Sequence, residues 1–247
     1  MKNIPAPTNL LNEINDEPKT RNNMTAHHSI IRSTTLALLC LASYAMVATA
    51  WNHTMFVQVW PPTWLAETPN TTYSYDNSYF TIHGIWPQYA NGSWPQYCQS
   101  RPFNLTSLSP IEDQLRTYWT NFYYPVSFWQ HEYYKHISCM EDGDRLFPNE
   151  YVSFGMGLYM RQAYNIYQWL ANENIYPTLV ALTVRKDIQR AIHKHYGKKP
   201  VVTCTPSGYL EEIRLCMDKN LKPIDCNAEE LSARCPDKAL WYTKWLG

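Results

Sequence analysis

An α+β fold, in which a central antiparallel sheet packs against several helices within one disulfide-stapled domain, is predicted for residues 51–247 by three features of the sequence. Runs of β-branched and aromatic residues stand at both ends of this stretch, segments with helical apolar spacing lie between them, and six cysteines are spread along it. No repeat and no low-complexity linker divides it. A chain that is 45% hydrophobic and 17% charged has a globular composition, so a single domain is expected.

"MFVQVW" (Met55 to Trp60) and "SYFTIHGIW" (Ser78 to Trp86) are bounded by Pro and Asn clusters and read as strands. In "SPIEDQLRTYWTNFY", Ser109 as a cap, Pro110 at the first helical position and acidic residues in the first turn mark a helix start. Helical spacing continues from about Phe128 to Ser138 and over the long stretch from Tyr151 to Asn172. "LTVRKDIQRAIHKHYG" (Leu182 to Gly197) closes on a glycine, as a helix does. From Val201 onward, "VVTCTPSGYLEEIRLCMDKNLKPIDC" alternates and turns like the strands of a small sheet.

The first fifty residues differ in character. Residues 1–23 are polar and aperiodic, after which Arg32, an apolar run from about Leu36 to Val47 and the triplet Ala48-Thr49-Ala50 form the layout of a secretory signal peptide cleaved after Ala50. The run is shorter than the ~18–20 apolar residues that cross a bilayer, so no stable membrane association is expected after cleavage. Initiation at Met24 in place of Met1 gives the more ordinary leader. Of 21 basic and 21 acidic side chains, Lys2, Lys19, Arg21, Arg32, Glu13, Asp16 and Glu17 precede Trp51, which leaves 17 basic and 18 acidic. That balance excludes a protein that holds a polyanion by bulk charge, because such affinity needs many phosphate contacts.

Cys40 lies in the leader. The remaining six, Cys98, Cys139, Cys204, Cys216, Cys226 and Cys235, are an even number in an exported chain and read as three disulfides with fifteen possible pairings. Four sequons, at Asn52, Asn70, Asn91 and Asn104, mark surface sites for glycosylation and agree with export to the cell exterior or an endomembrane lumen.

The chemistry concentrates in "SFWQHEYYKHISC" (Ser127 to Cys139), which looks like a zinc-protease H-E-x-x-H signature lengthened by one residue. On an α-helix with about 100° per residue, His131, Glu132, Lys135 and His136 fall at ~0°, ~100°, ~40° and ~140°, one face holding two imidazoles, a carboxylate and an ammonium. The histidines then straddle the face instead of converging on one metal, and the ammonium repels a dication, so no metal and no cofactor is expected. The patch suits an RNA phosphodiester: one imidazole takes the proton of the 2′-OH while the cations neutralise the phosphoryl oxygens. A second histidine must protonate the leaving 5′-oxygen. His83 is the candidate, followed by Gly84, where backbone must approach closely, and by Trp86, a ring on which a base can stack. Taken singly, each of these residues is ordinarily surface or packing, as are Phe128, Trp129, Tyr133 and Tyr134.

"FTIHGIWPQY" (Phe80 to Tyr89) and "FWQHEYYKHISC" (Phe128 to Cys139), in that order after a Trp60-Pro61 strand, together resemble the two active-site segments of the ribonuclease T2 family, secreted transferase-type enzymes that include plant S-type and S-like ribonucleases. The resemblance implies an α+β endoribonuclease that cuts single-stranded RNA, not DNA, as a monomer and without metal. The 2′-OH attacks phosphorus to give a 2′,3′-cyclic phosphate, which water opens to a 3′-phosphate. It implies His136 as general base, His83 as general acid, Glu132 and Lys135 as transition-state stabilisers and His131 as phosphate anchor. Trp86 and Gln88 would serve the first base pocket and Phe128 the second. Disulfides would join Cys98 to Cys139, Cys204 to Cys235 and Cys216 to Cys226.

The chain also departs from the family pattern. Gln88 stands where many members carry Asp, Val59 replaces the usual glutamine before Trp60, and Gln58 is one residue early and on the other strand face. Ile137-Ser138 replaces Gly-Thr, and a disulfide common near the first strand is absent. Two other functions compete at this stage. A zinc peptidase would bind metal at His131, and a non-catalytic secreted RNA-binding or signalling glycoprotein would have no chemical reason to keep His83, Glu132, Lys135 and His136.

Overall fold

Strand β1 (His53–Val59) is buried at all but its last position, because apolar clusters cover it on both faces. In the computed structural model, which describes residues 51–67, 75–98, 101–141, 146–180, 182–227, 235 and 239–244, β1 lies between β2 (Thr81–Gln88) and β5 (Leu210–Asp218). Strands β4 (Val201–Cys204) and β6 (Pro223–Ile224) both pair with β5, and every pairing in this five-stranded sheet is antiparallel. A separate two-stranded sheet joins β3 (Thr183–Val184) to β7 (Ala239–Leu240). The expected signal peptide, its cleavage site and the sequon at Asn70 lie outside the described residues.

The sheet faces the helices with Phe56, Ile82, Ile85, Ile213 and Leu215, and its other side carries a smaller cluster of Met55, Val57, Val201, Cys216 and Cys226. Ile82 and Ile85 are three residues apart, and strict alternation would put them on opposite faces. A β-bulge resolves the conflict: Val57 pairs with Gly84 but Gln58 pairs with Ile82, leaving His83 as the extra residue. A second bulge does the same in β5. Val202 pairs with Ile213 and Cys204 with Leu210, so Glu211 and Glu212 together oppose Thr203. Both inserted segments carry titratable groups.

The helices are α1 (Pro61–Glu67), α2 (Glu112–Tyr118), α3 (Pro125–Glu132), α4 (Ser138–Glu141), α5 (Glu150–Ala163), α6 (Ile166–Asn172) and α7 (Arg185–Tyr196). Helix α1 has no counterpart in the sequence expectation; its Pro61 and Pro62 sit in the first turn, where backbone N–H groups need no intrahelical acceptor. The helix expected to start at Ser109 starts earlier, as a 3-10 turn over Leu105–Ile111 whose cap is Asn104, and the α-helical part follows at Glu112. The long helix expected over 151–172 is two helices, because Tyr164 leaves helical geometry and Asn165 caps a new start by accepting from the Gln168 N–H. Gly197 closes α7 in the left-handed region at φ 79°, as its position after the last turn requires.

Buried tryptophans tie these layers to the sheet. Trp119 Nε1 donates to the carbonyl of His83 at 2.8 Å, and Trp129 Nε1 donates to the carbonyl of Trp119 at 2.5 Å. Gly157 on α5 is required there, since a Cβ would stand 2.4 Å from the Trp119 ring. Burying a large apolar side chain contributes roughly 1.5–3 kcal/mol, so Trp119 both stabilises the core and fixes the backbone of the bulge. The three disulfides are Cys98–Cys139, Cys204–Cys235 and Cys216–Cys226, the pairing the family resemblance implies.

Candidate active site

The helix bearing the histidine patch is not uniformly α-helical. Between α3 and α4, residues Tyr133–Ile137 form a π turn in which the Ser138 N–H reaches back to the Tyr133 carbonyl. The Ser138 hydroxyl takes the Tyr134 carbonyl at 2.9 Å, satisfying an acceptor within the widened turn. A π turn closes between residues five apart, so the angle between His131 and His136 is narrower than on a regular α-helix. His131 is nevertheless exposed, while His136 is buried against Trp86. Charge also opposes metal binding, because Lys135 lies within the patch and its charge disfavours protonation of both imidazoles. Among the described residues, no three His, Cys, Asp or Glu side chains are grouped to hold a metal ion.

The π turn packs against β2, and the tryptophan of β2 is the junction. Trp86 Nε1 donates to Glu132 Oε2 at 2.9 Å, and the Trp86 ring stacks on His136 with centroids 5.0 Å apart and planes 27° apart. Arg214 from β5 sits over the same ring at 5.3 Å. The ring expected to lie open to a base is thus already engaged by two protein groups. Gly84 is needed beside it: a Cβ there would stand 2.1 Å from Glu132 Oε2 and 2.3 Å from Trp86 Nε1.

His83, released by the bulge, is 30% exposed and points at carboxylates from two directions. Its Nδ1 is 2.5 Å from Glu212 Oε1, and its Nε2 is 3.7 Å from Glu132 Oε1. Phe128 lies against the ring at 5.6 Å between centroids. Beside His83 a cavity of ≈ 160 Å³ is lined by Val59, Trp64, Phe122, Phe128 and Glu211 among others. Gln58 turns away from it, buried on the other face, with Nε2 donating to the Tyr164 carbonyl at 3.0 Å. Gln88, the last residue of β2, is 4% exposed.

Electrostatics separate the two histidines. Burial alone would lower the His83 pKa, but the hydrogen bond and charge of Glu212, with the charge of Glu132, outweigh it and raise the value above 6.5. His136 is 4% exposed, and its Nδ1 has no hydrogen-bond partner among the described residues. Burial, then the positive charges of Lys135, His83 and His131, bring its pKa down to about 3. His131, on the surface, is lowered by partial burial, Lys135 and His83. Burial of Glu132, which is 1% exposed, raises its pKa against the pull of His83, the Trp86 N–H and Lys135.

One β-strand, helix α3 and the π turn that follows it therefore bring together His83, His131, Glu132, Lys135, His136, Trp86 and Phe128, while Gln88 is buried at the end of β2. Glu212 and Arg214 are site residues that spacing did not reveal. Three charged residues, Glu211, Glu212 and Arg214, within the strand segment "YLEEIRLC" were the available signal.

The Ribonuclease T2 family profile matches residues 51–226, most of the described chain and both site segments. The chain belongs to that family. As a member it is an endoribonuclease. It is 36% identical to Ribonuclease DdI of Dictyostelium discoideum over 70% of this chain and 76% of that one, and 32% identical to Ribonuclease Oy of Magallana gigas over 78% and 95%. Among solved structures it is similar to an RNase-related protein from Calystegia sepium, with TM-score 0.69 and 25% identity over 78% of this chain and 97% of that one. It is also similar to RNase NT in complex with 5′-AMP, with TM-score 0.66 and 26% identity over 78% and 98%.

Proposed function

We propose that this endoribonuclease cleaves single-stranded RNA by transesterification, with His136 as base and His83 as acid. The observation that carries the reading is that His83 faces two carboxylates, Glu212 and Glu132, while His136 is buried beside Lys135, surroundings that displace the two pKa values in opposite directions. A neutral imidazole is able to accept the 2′-OH proton, and a protonated one is able to donate to the departing 5′-oxygen. As the 2′-oxygen attacks, negative charge grows on the phosphoryl oxygens, where Lys135 supplies a cationic donor and the His131 imidazole an N–H. Glu132, held by the Trp86 N–H with Oε1 3.7 Å from His83 Nε2, is the carboxylate that accepts from donors gathered at the transition state. The 5′-oxygen leaves with the His83 proton and the product is a 2′,3′-cyclic phosphate. In the second step the roles reverse: His83 takes a proton from water, His136 returns one to the 2′-oxygen, and a 3′-phosphate results.

The cavity beside His83 receives the base that follows the scissile bond, with Phe128 against it, and Trp86 acts mainly by holding Glu132 and His136. No step uses a metal or an organic cofactor. DNA lacks the attacking hydroxyl and is not a substrate. Three disulfides suit an oxidising compartment, which supports a secreted or lumenal location. Asn52, Asn91 and Asn104 are exposed and accessible for glycosylation.

The test is a set of dinucleotides whose first sugar carries 2′-OH, 2′-H or 2′-O-methyl. Cleavage confined to the 2′-OH compound, with a transient cyclic phosphate and no inhibition by chelator, is expected. Equal cleavage of all three would overturn the mechanism.

A further inference from the structure

Strand β5 lies two strands away from β2, yet it reaches the reacting centre. The bulge at Thr203 turns Glu211 and Glu212 out of the core, the bulge at Gly84 turns His83 out, and between them stands Val59, paired with Glu212 on one side and Thr81 on the other. Across this small side chain Glu212 Oε1 reaches His83 Nδ1 at 2.5 Å. The carboxylate is itself fixed: its second oxygen accepts from Arg214 Nε at 2.9 Å and Nη2 at 2.8 Å, and its backbone N–H donates to Thr203 Oγ1 at 3.1 Å. A buried carboxylate held this way has few other positions, so the imidazole it binds has few other orientations.

From this geometry we infer that Glu212 is a positioning residue for catalysis, which holds the His83 ring with Nδ1–H toward β5 and Nε2 toward the scissile phosphate, with Arg214 as its brace. The inference rests on the reading of His83 as general acid and deepens it. Only Nε2 then faces Glu132 and the substrate, and a proton on Nδ1 is never offered to the leaving group. The tautomer left after donation is also the useful one, since Nδ1–H stays bound to Glu212 and the freed Nε2 becomes the base for hydrolysis of the cyclic phosphate. Charge acts in the same direction. Around His83 stand Glu212, Glu211 and Arg214 from β5 and Glu132, His131, Lys135 and His136 from the helix; Glu212 is the nearest anion, and its own pKa, which burial alone would raise, is held down to about 2 by His83 and Arg214.

The experiment compares wild type, Glu212→Gln, Arg214→Gln and His83→Ala on a ribodinucleotide and on a nucleoside 3′-aryl phosphate, whose leaving group needs no proton. Glu212→Gln keeps an acceptor but removes the charge. Its alkaline limb of kcat/KM on the dinucleotide is expected to move down by roughly one pH unit, the scale of a lost carboxylate neighbour. Transesterification of the aryl ester changes less than threefold. Arg214→Gln moves the limb the other way. If Glu212→Gln leaves the limb in place, or slows both substrates equally, Glu212 is merely structural and the inference fails. If His83→Ala itself cleaves the dinucleotide like wild type, the general-acid reading fails instead. Circular dichroism and thermal unfolding of each variant establish that a loss of rate is not a loss of fold.

Discussion

The two catalytic segments solve one problem in two kinds of secondary structure. In β2 a single extra residue makes a bulge and delivers His83; in the helix a single widened turn delivers His136. Each irregularity aims a side chain that a regular element would direct elsewhere. The surroundings then differ in sign. His83 is partly exposed and faces two carboxylates, whereas His136 is buried beside an ammonium and two imidazoles. In the proposed mechanism two identical side chains serve as acid and base because their neighbours differ, with Trp86 linking them through the Glu132 hydrogen bond and the stack on His136.

The sharpest way to break this comparison is to remove each imidazole in turn. Alanine at either position is expected to slow dinucleotide cleavage by about 10²–10⁴-fold, the usual contribution of a positioned acid or base. On an aryl ester the two should part company, His83→Ala recovering most of its rate and His136→Ala none, as read by initial-rate kinetics. Equal recovery would mean that the roles are not divided as described.

A methyl group at the junction has the next largest effect. Gly84→Ala forces a Cβ to within 2.1 Å of Glu132 Oε2, so the carboxylate must shift. A displacement of this size is expected to lower kcat by up to about 10²-fold while the circular dichroism spectrum is retained. Wild-type turnover by this variant would show that the Glu132 position is not critical. Trp86→Phe keeps the ring against His136 but deletes the donor to Glu132. Losing one hydrogen bond to a charged group is worth about 1.5–3 kcal/mol, which predicts roughly a tenfold or greater loss in kcat with a smaller change in KM. Ser138→Ala is the mildest, removing the hydroxyl that serves the π turn, with an expected loss of about 1 kcal/mol in denaturant unfolding and near-normal activity.

How much of this was legible in the sequence follows from distance along the chain. Helix and strand periodicity located both segments, and the imidazoles, carboxylate and ammonium of the helix share a face because they are neighbours in sequence. Glu212 lies 129 residues from His83, and their contact depends on which strands pair, something no spacing rule reports. The π turn escaped for a different reason: one widened turn leaves the apolar pattern around it nearly intact. The bulges did leave a trace. Ile82 with Ile85, and Leu210 with Ile213, are apolar pairs three apart inside strands, and both members of each pair enter the core. Gln88 shows the same limit for burial: a polar side chain at a strand end looks available in sequence, while here it is 4% exposed.

The central claim is that the resting site already holds one protonated and one neutral imidazole, and histidine titration by NMR tests it most directly. The Cε1–H resonances of His83 and His136, assigned through their alanine variants, would be followed from acid to alkaline pH in the free enzyme. The account predicts that His83 titrates above 6.5 and His136 well below it, so that kcat/KM holds a broad plateau, falling on the acid side as His136 takes a proton and on the alkaline side as His83 loses one. Two histidines titrating together near 6.5, or in the opposite order, would contradict it.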